Sequence, residues 1–156
     1  MDFVKIPTKQ KKHDFVPANE LRGNQLRDFV FAGNSLFTVA NEESGNHVTF
    51  KVKKHKEKEL WFVTTRDVHS FEFIGTCFEN KKYVHSKKSV LEFTDTKVKV
   101  FYWFLTKFFH NQEKYPMVKI YHHGRCGACN KKLTTPESIK SGIGPVCEGR
   151  RRWNVL

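Results

Sequence analysis

From Asp28 to Phe93 apolar residues recur mainly at every second position, the period of a half-buried β-strand. In "DFVFAGNSLFTVAN", Phe29 and Phe31 precede a Gly33-Asn34 turn signal, and Phe37 and Val39 follow it. "HVTFKVKK" sets Val48, Phe50 and Val52 against Thr49, Lys51 and Lys53. The charged "KKHKEKE" reads as a hairpin tip or exposed loop, with "LWFVTT" as the next strand. "SFEFIGTCF" alternates Phe71 and Phe73 with Glu72, and Gly75 marks a bulge or bend. "KKYVHSKK" adds a short polar segment. Roughly five or six evenly spaced strands predict a small antiparallel β-sheet or a partly open barrel.

The period then changes. Val98, Phe101, Tyr102, Leu105, Phe108 and Phe109 fall at helical spacing, while Lys99 and Lys107 lie off that stripe. Asp95 or Thr96 supplies the N-cap. One amphipathic helix over 95–110, packed on the sheet, makes the fold class α+β. After it the chain turns at Tyr115-Pro116 into another short strand. Before all of this, Lys9, Lys11, Lys12 and His13 make a basic arm in which Pro7 and Pro17 break any helix.

A chain of 156 residues with 38% hydrophobic content can bury a sizeable core. Its fifteen Phe are expected mostly there. The net charge of +12 calls for a polyanionic partner, nucleic acid or an acidic protein surface. No stretch reaches the ~18 apolar residues of a membrane helix, and the N-terminus lacks the apolar core of a signal peptide. The expected location is the cytoplasm. In that reducing compartment clustered cysteines bind metal rather than pair as disulfides.

Three of the four cysteines lie in "HHGRCGACNKKLTTPESIKSGIGPVCEGRRR". Cys126 and Cys129 form a C-x2-C knuckle whose Gly127 and Ala128 let backbone N–H groups turn toward the sulfurs. Thr134 or Thr135 caps a short helix from Pro136, with capping-box spacing from Thr134 to Glu137, and Gly142 ends it. Cys147 follows a Gly144-Pro145 turn, and "CEGRRRW" reads as a last helical turn. Three thiolates need a fourth ligand for tetrahedral Zn2+. His122 is the preferred candidate, with His123 next to it and Cys77 far off in the sheet. No H-x-E with P-C-x-x-C and no H-E-x-x-H is present, so the zinc is expected to be structural and the protein not an enzyme. The chain then divides into a basic N-terminal arm (1–20), a β-rich domain with the 95–110 helix (21–117), and a zinc-knuckle domain (118–156), treble-clef-like.

The knuckle resembles a group of uncharacterised phage and prophage proteins whose C-terminal segment is a domain of unknown function. Cys126, Cys129, Leu133, Pro136, Glu137, Ser138, Gly142, Ile143, Gly144, Pro145 and Cys147 carry the resemblance. Ala128 departs from it, standing where that group often has Arg. The resemblance implies a viral origin, a bacterial host cytoplasm, zinc binding, and a His four residues before the knuckle, which maps onto His122. It supplies no activity. Around the metal site Arg125, Lys131, Lys132, Lys140, Arg150, Arg151 and Arg152 suit phosphate contacts, and Trp153 suits base stacking. DNA or RNA is therefore the expected partner. The alternative is a small phage inhibitor of a host protein or defence system acting by protein–protein contact. No small-molecule substrate is implied.

Overall fold

The computed structural model describes residues 15–66 and 70–155, with backbone alone for 151–155. The expected N-terminal arm falls mostly outside the described residues. Its end is ordered: Phe15 stacks on Tyr121, and a single 3-10 turn at Pro17–Asn19 leads into the first strand.

The strands are β1 (Glu20–Leu21), β2 (Asn34–Asn41), β3 (His47–Lys54), β4 (Leu60–Arg66), β5 (Phe71–Phe78), β6 (Tyr83–His85) and β7 (Val118–His122). They form one open antiparallel sheet in the order β1-β7-β2-β3-β4-β5-β6. The antiparallel-sheet expectation holds; the sheet does not close into a barrel. β7 is the last strand in sequence, yet it sits inside the sheet between β1 and β2. The segment that opens the cysteine region is thus also a structural strand.

One face of the sheet carries the core. Phe37, Val39, Phe50, Val52, Trp61 and Val63 are all buried there. Two helices cover them. α1 (Gly23–Val30) buries Leu26, Phe29 and Val30. α2 (Thr96–Trp103) begins at Asp95, whose side chain accepts from the Lys97 N–H, and continues into a π-helical turn over Phe104–Phe108. Phe101 packs 5.0 Å from Phe50, and Phe104 5.4 Å from Phe37. Each fully buried Phe contributes about 2 kcal/mol by removal of its surface from water.

Two expectations change. The segment at Asp28–Phe31 is not a strand but the end of α1, because Leu26, Phe29 and Val30 use the i, i+3, i+4 spacing of a helix. The 95–110 helix is buried more widely than one stripe: the π turn, with Phe109 N–H bonding the Phe104 carbonyl, shifts the register, so Trp103 and Phe104 turn inward while Tyr102 stays 44% exposed. Most of the described phenylalanines do belong to the core, with Phe31 and Phe109 packed against the buried ones. Phe29, Phe37, Phe50, Phe101, Phe104 and Phe108 are buried, whereas Phe62, Phe78 and Phe93 reach solvent.

The Gly75 signal is real. The register between β4 and β5 shifts at Val63/Thr64, leaving Ile74 as the extra residue of a bulge. A Cβ on Gly75 would lie 2.5 Å from the Tyr83 ring and the Val84 carbonyl, so β6 can cross there only over glycine.

Candidate metal centre

β7 delivers the chain to Gly124, whose φ of +77° starts a tight turn. A miniature hairpin follows. Arg125 bridges Lys132, Cys126 N–H bonds the Lys131 carbonyl, and Asn130 N–H bonds the Cys126 carbonyl. Cys126 and Cys129 stand on this hairpin. Next comes α3 (Pro136–Ser141), capped reciprocally by Thr135 and Ser138. The capping pair is thus Thr135/Ser138 and not Thr134/Glu137: the Thr135 hydroxyl accepts from the Ser138 N–H at 3.2 Å and the Ser138 hydroxyl from the Thr135 N–H at 3.3 Å. Gly142, at φ +78°, ends α3 in the left-handed conformation. α4 (Pro145–Val155) starts with proline at its first position and places Cys147 in its first turn. It is a full helix, longer than the single turn the sequence implied.

The sulfurs of Cys126, Cys129 and Cys147 lie within 4.8 Å of one another. An ion about 2.3 Å from each sulfur in tetrahedral geometry would set them about 3.8 Å apart. Only small side-chain adjustments separate the two arrangements. Backbone N–H groups already point at the site: Ala128 donates to Cys126 Sγ at 3.4 Å and Gly144 at 3.3 Å. Burial pushes the Cys126 thiol up, but the Gly144, Cys129 and Ala128 N–H groups outweigh it and hold the thiol below its usual range. Burial and the two neighbouring sulfurs push Cys147 up to about 12. Three adjacent thiolates repel; a divalent cation between them removes that cost. The donor set, three soft sulfurs, fits a thiophilic metal ion.

His122, the expected fourth ligand, is not among the side chains that converge with the three sulfurs. Its ring is 2% exposed and both nitrogens are engaged by the protein. Nε2–H donates to the Ile139 carbonyl at 2.6 Å, and Nδ1 accepts from Gly124 N–H at 2.9 Å. Desolvation holds its pKa below the usual value. His122 therefore ties β7 to α3 as a neutral imidazole. His123, the second candidate, bonds Thr38 Oγ1 through Nε2 at 2.8 Å. The fourth ligand is not among the side chains that the described residues bring together. Cys77 is buried in β5 with its thiol pushed up to about 12 by desolvation, which makes it an inert core residue.

Residues 119–152 match a family of unknown function (DUF6011). That span runs from β7 into α4 and holds all three cysteines of the cluster. No curated protein and no solved structure matches the chain.

One anchoring residue escaped the sequence reading. Phe29 of α1, fully buried, lies 5.8 Å from the His122 ring and 6.5 Å from Phe37. A Cβ on Gly127 would fall 2.6 Å from the Phe29 ring, and one on Gly142 2.5 Å from it. Gly127 N–H bonds the Gly142 carbonyl, and its own carbonyl accepts from Asn34 N–H at 2.7 Å. Gly127 is therefore small because a phenylalanine of another element presses on the knuckle. Two glycines in the knuckle and a buried aromatic at helical spacing upstream were the available signals.

The expected cation set is exposed where it is described: Arg125, Lys131, Lys132, Lys140 and Arg150. Arg125 donates to the Asn130 carbonyl at 3.0 Å, so its guanidinium is partly held. The side chains of Arg151, Arg152 and Trp153 lie outside the described residues. Among the described residues no helix is long and apolar enough to cross a membrane.

Proposed function

We propose that Cys126, Cys129 and Cys147 hold a structural Zn2+ and that the protein binds nucleic acid, without catalysis, through the cations around that ion. The observation that carries this reading is the convergence of three sulfurs inside a shell of exposed Arg125, Lys131, Lys132, Lys140 and Arg150. A metal-bound cluster of that kind stiffens a segment with few apolar residues of its own, and stiff cations lose less entropy on meeting phosphates. The metal supplies fold and not reaction chemistry in this reading, because no paired acid–base constellation lies in the motif. The resemblance to phage and prophage proteins supports a viral source and action in a host cytoplasm.

The test joins metal content with binding. Purified protein should contain equimolar zinc. It should also shift labelled DNA or RNA oligonucleotides at low salt, and Lys131→Gln with Lys132→Gln should weaken that shift. Metal-free protein that keeps its fold, or no retention of any oligonucleotide at low salt, rejects the proposal.

A further inference from the structure

In a regular strand Phe71, Phe73 and Cys77 would share one face. The bulge at Ile74 breaks that parity. Gly75 pairs with Val63 and Cys77 with Trp61, both on the core face, whereas Phe73 pairs with Thr64 and Phe71 with Arg66 on the opposite face. The extra residue has re-aimed two aromatics outward. On the same outward face, Phe62 is the neighbour of Lys53, and Lys51 is the neighbour of Thr64. Among the described residues of β3, β4 and β5 the acidic one is Glu72, which pairs with buried Thr65 and so lies on the other face, where it accepts from the Ser70 hydroxyl.

The result is a grid of rings and cations on the side of the sheet opposite α1 and α2, with Phe71 and Phe73 half-buried. Phe62 is 39% exposed, with its centroid 6.3 Å from that of Phe73. Lys51 Nζ stands 5.8 Å and the Arg66 guanidinium carbon 5.3 Å from the Phe71 ring centre. None of the outward strand positions of β3, β4 and β5 is Asp or Glu. A contiguous apolar patch rimmed by polar groups marks an interaction site. A partner with flat π-faces and a regular negative backbone fits both halves of this grid. A duplex hides its base faces; a single strand offers them.

We infer that the outward face of β3–β5 is a stacking platform for single-stranded nucleic acid, with bases on Phe62 and Phe73 and phosphates near Lys51, Lys53 and Arg66. This rests on the nucleic-acid reading above but places the contact on the sheet, away from the cysteine cluster. The platform gives selectivity for unpaired strands, while the knuckle cations add sequence-independent attraction.

The experiment is fluorescence anisotropy with labelled oligothymidylate, oligouridylate and a duplex of the same length, on the full chain. Wild type should bind the single strands more tightly than the duplex. Phe62→Ala and Phe73→Ala should each weaken single-strand binding about 5- to 160-fold, the range for loss of one stacked base, with duplex binding unchanged. Phe62→Tyr, which keeps a ring, should bind like wild type. Far-UV circular dichroism and zinc content establish that each variant is folded. Unchanged affinity in both alanine variants, with loss on the Lys131→Gln/Lys132→Gln change, overturns the platform and leaves the knuckle reading standing. A dimer that dissociates on Phe62→Ala means that a second copy covers the face, and overturns it too. Binding to no oligonucleotide at all removes both readings.

Discussion

Cys129 is the exposed member of the sulfur cluster, and Cys126 and Cys147 are buried. Replacing it by serine therefore changes the donor set with little change in packing. Cys129→Ser should abolish zinc retention and free the hairpin and α4, seen as loss of amide protection after residue 123 together with a lower melting midpoint of the sheet packed on them. A structural zinc contributes on the order of 10 kcal/mol to the folding of such units, so partial retention is not expected. Equimolar zinc in the purified variant would strike Cys129 from the ligand set. His122 makes the opposite prediction. Its nitrogens serve Ile139 and Gly124, so His122→Asn should keep its zinc yet lose about 1–3 kcal/mol in urea denaturation through an unsatisfied buried carbonyl. Loss of zinc would return His122 to the metal. The imidazole also adds a pH dependence. Its folded pKa lies below the unfolded value of about 6.5, so the unfolded chain binds more protons in the window between them. Stability from the neutral ring is fully present above about pH 6.5 and falls as the pH drops toward the folded value. Wild type minus His122→Asn, followed from pH 7 downward, should show that decline; a flat difference would mean that the ring is not buried neutral.

At the scale of elements, the central fact is that α1 reaches across to the knuckle. The Phe29 ring presses on Gly127 and Gly142, and the Gly127 peptide is bonded to both Asn34 and Gly142. Gly127→Ala would place a Cβ 2.6 Å from that ring and 2.9 Å from the Phe29 carbonyl, and the carbonyl cannot rotate away. We expect a cost of about 1–3 kcal/mol. Because sheet and knuckle share this contact, they should melt together: tryptophan fluorescence and zinc release should have coincident midpoints in wild type and in the variant. Midpoints that separate would show two independent units. This coupling was illegible in the sequence, for a physical reason. Phe29 and Phe31 alternate like a strand, and in an eight-residue helix three apolar residues are the whole signal. The strands β2 to β4 were legible because their core-facing apolar residues recur at a period of two. The sulfur cluster was legible because C-x2-C and a cysteine after Gly-Pro are local constraints. The role of His122 was not, since a carbonyl 17 residues away captures its Nε2. The outward turn of Phe71 and Phe73 was half legible: Gly75 announced a bulge, but only the pairing shows that the extra residue is Ile74.

For the whole molecule, charge is the property that any binding measurement sees first. The net charge is +12, and Arg125, Lys131, Lys132, Lys140 and Arg150 of the knuckle are exposed. If about five phosphates are neutralised on a single strand, the slope of log affinity against log salt should be about −3.5, or about a hundredfold loss between 50 and 200 mM. The aromatic and ionic contributions then separate cleanly. Phe62→Ala should lower affinity at every salt concentration while leaving the slope unchanged, since no counterion is released by a stacked ring. Changing Lys131 and Lys132 to Gln should make the slope shallower by about 1.4 on the same scale. Removal of the ion by a chelator tests whether the cluster organises that charge. The cations stay on the chain, so a merely charged tail would keep its slope. A tail whose cations are held in place by the sulfur cluster should bind more weakly and with a shallower slope, because fewer phosphates are met at once. An identical salt titration before and after chelation, with zinc shown to be gone, would mean that charge alone and not its arrangement carries the binding.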